Sequence, residues 1–316
     1  MSQQAPAASG SSAGHSVHGR GTSLSEALLT EARGTWRDYL ELTKPRVVLL
    51  MLMCAAVGML LAAGDALPWR ALLFGLPGIA LMAASAAAVN HIADAQIDAR
   101  MARTRNRPVA TGRIGPARGV VFAGALGLAG FTILTTLVNP LTAWLNLASW
   151  AGYGLVYTFY LKRATPQNIV IGGLFGAAPP LFGWTAVTGS IEPGGLVLLA
   201  IIFIWTPPHF WALALDRIED YRDADIPMLP VTHGEVHTKW QVLFYTLALV
   251  AVSVVPWAIG MSGVVYLVGA LALGAVFVGY AVALLCSVAS APMATFRYSI
   301  VYLLLLFVAL LMDHYL

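Results

Sequence analysis

The stretch Asn90-His91-Ile92-Ala93-Asp94-Ala95-Gln96-Ile97-Asp98 places one amide and two carboxylates at four-residue intervals. On a helix those three side chains lie near one face. A long apolar run, 71–89, leads into the stretch, and an arginine-rich segment, Arg100 to Pro108, follows it. Acids at the end of a membrane span, with phosphate-binding cations just beyond, point to a site for a metal ion and a diphosphate.

The composition around this stretch is that of a membrane protein. Hydrophobic residues make up 59% of the 316 residues and charged residues 10%, with a mean hydropathy of +0.76. A soluble domain carries about 25% charged residues. The apolar content is too large for a single anchor. The two cysteines, Cys54 and Cys286, fall in apolar segments, which excludes a disulfide framework or a zinc-ligand spacing.

Residues 1–22 are rich in Ser, Gly, Ala and Gln and read as a disordered tail, without the apolar core of a secretory signal. Residues 23–43 read as an amphipathic interfacial helix, with Trp36, Tyr39 and Leu42 among charges. Residues 44–316 form the polytopic domain. Nine apolar segments follow, at about 47–64, 71–93, 119–138, 141–161, 168–190, 195–216, 241–260, 263–288 and 297–313. Each is long enough to cross ~30 Å of hydrocarbon. With the N-terminus inside and the spans alternating, seventeen of the eighteen lysines and arginines fall on the inner side and only Arg70 falls outside. This bias favours an all-α integral membrane protein with nine transmembrane helices and a cytoplasmic N-terminus.

A second acidic cluster, Asp216-Arg217-Ile218-Glu219-Asp220, closes the sixth apolar segment, and Asp216 and Asp220 repeat the four-residue spacing. Alternation puts both clusters on the inner face. Clustered carboxylates repel and are costly near low dielectric, and a divalent cation relieves both penalties. Mg²⁺ suits such oxygen ligands and completes its shell with substrate phosphates. The bland alternative is a hydrated loop whose acids pair with nearby arginines; two clusters of like spacing on one side favour the metal site, with Asp94, Asp98, Asp216 and Asp220 as ligands. Arg103, Arg105 and Arg107, with Lys162, Arg163 and Arg46, are candidates to grip diphosphate oxygens. The topology signal alone would also explain any one of them. Pro207 and Pro208 are expected to break or kink the sixth span. Beyond them His209, Asp216 and Asp220 fall on one stripe, with His209 about 10 Å deeper than Asp216. A lone intramembrane histidine is often a packing residue, but this alignment makes His209 a candidate acceptor contact or iron ligand, with Trp205 and Tyr157 beside it.

The Asn-x-x-x-Asp-x-x-x-Asp pattern at 90–98 and the Asp-x-x-x-Asp pattern at 216–220 resemble the two motifs of the UbiA-type intramembrane prenyltransferases. Within them, five stretches are similar to the protohaem IX farnesyltransferase (haem O synthase) branch: 43–47, 98–108, 168–180, 205–214 and 220–231. The Pro-Pro-His-Phe-Trp string at 207–211 and the Ile-Pro-Met-Leu-Pro string at 226–230 carry that narrower likeness. The resemblance implies a nine-helix fold around a central cavity and Mg²⁺-dependent transfer of farnesyl from farnesyl diphosphate to a vinyl group of haem B, with water added, giving haem O for terminal oxidases. It implies that Asn90, Asp94, Asp98 and Asp220 hold Mg²⁺-diphosphate, supported by Lys162 and the Arg103–Arg107 loop. Two residues depart from the branch pattern: Asp216, where an acid is not general, and Asp225, where glycine is expected. The partners implied are farnesyl diphosphate, haem B and the lipid bilayer, with a haem A synthase or oxidase-assembly partner left open and no nucleic acid. The expected location is a bacterial inner membrane, with the site facing the cytoplasm, in preference to a mitochondrial inner membrane. Two other readings stand beside this one: a prenyltransferase with an aromatic or quinone-precursor acceptor, and an ion or proton transporter using intramembrane acids. Transport acids lie nearer the midplane than these do.

Overall fold

The structure, a computed structural model, describes residues 33–64, 66–99, 104–224 and 226–316. The tail at 1–22 and the first part of the interfacial segment lie outside the described residues, as do Arg103 and Asp225. Within the described residues the interfacial segment is helical only over α1 (Trp36–Leu42). Thr35 caps that helix: its hydroxyl accepts from the Asp38 N–H, and the Asp38 carboxylate accepts from the Thr35 N–H at 2.8 Å. Those bonds from Thr35, with the Arg113 guanidinium nearby, hold the Asp38 carboxyl below the usual carboxylate range. Leu42, one turn on, is fully buried with Ala88, Val109, Ile114 and Ala123. The helix is therefore docked on the 104–115 loop through one face, while Trp36 is 70% exposed.

Among the described residues, eight helices are long and apolar enough to cross a membrane: α2 (Pro45–Ala62), α3 (Ala71–Ala93), α4 (Pro116–Val138), α6 (Asn168–Thr188), α7 (Pro193–Asp216), α9 (Leu229–Ala258), α10 (Val264–Leu285) and α11 (Ala291–Tyr315). Between α4 and α6 runs α5, which comprises Pro140–Ala151, Gly152–Leu161 and Lys162–Ala164 without a break. It matches the fourth expected segment in position, but Asn146, Ser149, Tyr153, Tyr157 and Thr158 dilute its apolar character. One short helix, α8 (Ile218–Asp223), carries the second acidic cluster.

Two expectations change. Pro207 and Pro208 do not break α7, which runs continuously through them, both prolines being buried among neighbouring helices. Neighbouring helices and side chains tolerate such prolines within membrane bundles. The helix that begins the seventh span starts earlier than expected, at Leu229, and turns through Gly234, whose φ of 81° is open to glycine and strained for other residues.

The bundle closes through backbone contact. Helix α2 packs on the second half of α6, α3 on α4, and α7 on α9 and α11. At the α2–α6 crossing a Cβ on Gly183 would lie 1.9 Å from the Ala55 carbonyl oxygen, and one on Gly58 would lie 2.1 Å from that of Pro180. Glycine on both helices thus lets the backbones meet, the usual device where lipid removes the hydrophobic drive between helices. The largest core cluster joins α7, α9, α10 and α11 through Leu198, Ile201, Trp205, Leu249, Tyr266, Phe277 and Tyr302. Substituting Gly183→Leu should force α2 and α6 apart and cost at least ~1–3 kcal/mol. Thermal unfolding of the detergent-solubilised protein should show a lower midpoint, whereas the same change at Gly279, which has open space around it, should leave it near the parent value.

Candidate active site

The first acidic motif sits where α3 ends. Asp94 closes the helix with φ −87° and ψ 0°, and a single turn, Ala95–Asp98, follows. The N–H of Asp94 still donates to the Asn90 carbonyl at 3.0 Å, and that of Asp98 to the Asp94 carbonyl at 2.8 Å. The four-residue spacing therefore survives the break. All three side chains are buried, Asp94 at 2% exposure and Asp98 at 3%.

Each motif side chain meets one cation. Lys162 donates to Asp94 Oδ2 at 2.8 Å, and Arg107 to Asp98 Oδ2 at 2.7 Å. Lys44 donates to Asn90 Oδ1 at 2.5 Å, and Asn90 in turn donates to Asp94 Oδ2 at 2.9 Å. Burial, reinforced by Arg107 and Lys162, pushes the Lys44 amine down to about 7. Lys44 adopts the left-handed backbone conformation, φ 50° and ψ 59°, in the turn between α1 and α2. Such a conformation costs a non-glycine residue ~1–2 kcal/mol. In the sequence Lys44 counts as a topology charge and as part of the 43–47 resemblance, not as a site residue. The residue before a proline is biased away from α, so Thr43-Lys44-Pro45 marked a turn, but not where the ammonium points.

The other candidates separate. Arg105 is exposed, Arg103 lies outside the described residues, and the side chain of Arg163 does too. Arg46 lines the cavity described below. Asp216 ends α7 and is exposed; Arg217, with φ −124° and ψ 32°, breaks the helix before α8. Asp220 therefore belongs to a different helix from His209 and Asp216, and the single stripe predicted through all three holds only for the first two. Asp220 pairs loosely with Arg217 at 3.6 Å. The two acidic segments nonetheless meet: Ile97, between Asp94 and Asp98, packs into the cluster that holds Leu215, Tyr221, Ala224 and Ile226.

Among the described residues no three acid, histidine or cysteine side chains converge as a ready-made metal cage. The donor set nonetheless fits Mg²⁺, which is held by one or two carboxylates and leaves the remaining positions to water and phosphate. Asp94 Oδ1 is buried without a partner, so one hard oxygen is free for an added cation.

Next to Lys44 lies a cavity of about 480 Å³, within the range of ligand pockets. Its walls come from α2, α3, α5, α6, α7 and α11, and are mostly apolar: Met51, Ile79, Met82, Trp150, Phe182 and Ile202 are among them. Lys44 and Arg46 line it as well. Trp205, His209 and Tyr157, the expected acceptor contacts, all line it. Tyr157 stacks on Tyr153 at 5.3 Å and 12°. The stretch that carries both, Gly152–Leu161, is wound as a π-helix, and the Thr158 hydroxyl donates to the Tyr153 carbonyl five residues back at 2.8 Å. Gly172 makes room for the Tyr157 ring; a Cβ there would lie 2.4 Å from it. The side-chain oxygen of Asn168, another lining residue, is buried without a partner.

Fold and site together define a polytopic membrane protein with an apolar cavity in the bundle and a cluster of buried acids and cations near it. The model of the UbiA prenyltransferase family matches residues 51–311, and the chain belongs to that family. It is 60% identical over 286 residues to a protoheme IX farnesyltransferase 1 of Pseudomonas fluorescens, covering 90% of this chain and 96% of that one. A protoheme IX farnesyltransferase of Azotobacter vinelandii is also 60% identical, with 90% and 95% covered. Among solved structures, one of digeranylgeranylglyceryl phosphate synthase shares the fold with a TM-score of 0.75 at 17% identity, over 88% of this chain and 98% of that one. A UbiA homologue from Archaeoglobus fulgidus bound to GPP and Mg²⁺ does so with a TM-score of 0.60 at 16% identity, over 86% and 99%.

The Asp94–Lys162 pair yields a direct check. Removing only the lysine, as in Lys162→Met, leaves a buried carboxylate unpaired and should cost ~3–5 kcal/mol of stability. The double variant Asp94→Leu/Lys162→Met should recover most of that loss. A double-mutant cycle read by thermal unfolding measures the coupling.

Proposed function

We propose that this protein transfers the farnesyl group of farnesyl diphosphate to a vinyl group of haem B, with addition of water, to give haem O. The observation that carries this reading is the pairing of a buried Asn90/Asp94/Asp98 motif with three cations, one of which, Lys44, also lines an apolar cavity. The 60% identity to proteins named protoheme IX farnesyltransferase, over nine-tenths of the chain, supports haem B as the acceptor. A fold relative bound to GPP and Mg²⁺ supports a prenyl diphosphate with a divalent metal.

In this reading Asn90, Asp94 and Asp98, facing Asp220 and Asp216, hold a Mg²⁺-diphosphate. Bound Mg²⁺ supplies neutralisation of the charge that grows on the diphosphate as the allylic C–O bond breaks. Lys162, Arg107 and Lys44 exchange motif oxygens for phosphate oxygens and hold the leaving group in place. A dianionic neighbour restores full charge to the buried Lys44 amine. Arg46, Arg103, Arg105 and Arg163 complete the basic rim. The apolar walls keep bulk water from the allylic cation, and the faces of Tyr153 and Tyr157 offer it π density. The vinyl group attacks, one admitted water captures the cation beside the pyrrole, and its proton leaves.

The membrane placement belongs to the same proposal. Helix α5 crosses as the ninth span, the N-terminus is cytoplasmic, and the site opens to the cytoplasm of a bacterial inner membrane. The one-sided distribution of lysine and arginine supports this arrangement. A haem A synthase or an oxidase-assembly factor is the partner to which the product would pass.

Purified protein incubated with haem B, farnesyl diphosphate and Mg²⁺ should convert haem to a species heavier by one farnesyl group plus water, and a chelator should stop it. Diphosphate release with unchanged haem would move the acceptor to another aromatic compound, and no change in either would remove the transferase reading. Asp94→Asn should lower kcat by ~10²–10³-fold in a protein that still inserts. Normal turnover of that variant at saturating Mg²⁺ would count against the assignment.

A further inference from the structure

His209 lies deep in the cavity, and its partners determine which of its nitrogens is available. Nδ1 is 2.6 Å from the Ser299 hydroxyl oxygen, across from α7 on α11. A serine hydroxyl has one proton to give. That proton is already committed to the Phe296 carbonyl, 2.6 Å away on the same helix. The Ser299 oxygen must therefore accept from His209, so Nδ1 carries the ring proton and Nε2 carries the lone pair. The His209 ring lines the cavity, whereas both ring nitrogens of His91 are sealed in without partners.

The ring is also fixed in plane. Trp205 stacks on one side at 4.2 Å and 20°, and Phe296 stacks at 4.6 Å and 28°. Trp205 is itself anchored by its indole N–H, which donates to the Ser299 carbonyl at 2.8 Å. One residue of α11 thus orients both aromatic groups of α7. The aromatic stack leaves only the ring edge free to meet a ligand. Among the described residues no carboxylate pairs with the imidazole, so none of them balances the full charge that proton abstraction would place on it. A neutral nitrogen donor needs no such balance.

We propose that Ser299 is a positioning residue that holds His209 in the Nδ1–H form, with Nε2 presented as the ligand for the iron of the haem acceptor. The arrangement is the familiar one in which a ligating histidine donates its other N–H to a second group that fixes tautomer and angle. It rests on the haem reading above and gives that reading an anchor: one coordinate bond at Nε2 fixes the tetrapyrrole relative to the diphosphate mouth.

The test is a spectroscopic titration of the detergent-purified full chain with haem B, in parallel with the mass assay of farnesyl transfer. The wild-type protein should give the absorption signature of histidine-ligated haem. His209→Ala should abolish that signature. Ser299→Ala should weaken haem binding by ~10–100-fold, the usual effect of losing such a supporting partner, and Ser299→Thr, which keeps the hydroxyl, should restore it. Retained prenyl-diphosphate affinity in each variant checks that the bundle is folded. Haem that is farnesylated but shows the same spectrum in wild type and His209→Ala would overturn the inference and leave the haem reading standing. Equal haem affinity in Ser299→Ala and wild type would overturn the role of Ser299. Haem that neither binds nor reacts, while diphosphate is still released, would overturn both.

Discussion

Carboxylates buried at the edge of the hydrocarbon must be neutralised, and much of the structure follows from that need. Asp94 and Asp98 are almost wholly removed from solvent. Burial of an unpaired charge costs several kcal/mol, so each must carry a cation with it. Lys162 comes from the end of α5, Arg107 from the loop after the motif, and Lys44 from the turn before α2. Three elements distant in the chain are thus required at one point.

The cavity depends on a different constraint, the close approach of helices without a hydrophobic drive. Gly58 and Gly183 let α2 and α6 meet backbone to backbone on one side. Gly172 opens the space into which Tyr157 turns, and the wider winding of Gly152–Leu161 aligns Tyr153 with it. The small residues draw the bundle tight in some places, which leaves the void concentrated beneath the motif. Ser299 then uses its single hydroxyl and its carbonyl to orient His209 and Trp205 from a neighbouring helix.

The two acidic motifs look alike in sequence and differ in structure. The first keeps its spacing through a helix break and is buried. The second is divided at Arg217, so Asp216 and Asp220 sit on separate helices, Asp216 exposed and Asp220 half-buried. Equal spacing therefore did not mean equal environment. Whether a four-residue interval stays on one face depends on the helix continuing, and here the backbone of a single residue decides it.

By itself the sequence determined the membrane class, the position of eight of the expected apolar spans and the residue types of the first motif. Those properties are local and additive: hydropathy sums along a segment, and periodicity assigns a face. It also pointed to His209, Trp205, Tyr157 and Arg46, which the structure brings to one cavity. It did not show that Lys44 would meet Asn90, 46 residues away, or that Ser299 would hold His209 across 90 residues. It also allowed either a break or a kink at Pro207 and Pro208, and the helix does not break there. Only the tertiary structure decided these matters, because a hydrogen bond or a tolerated proline depends on which helices lie within a few ångströms, and no interval along the chain measures that distance.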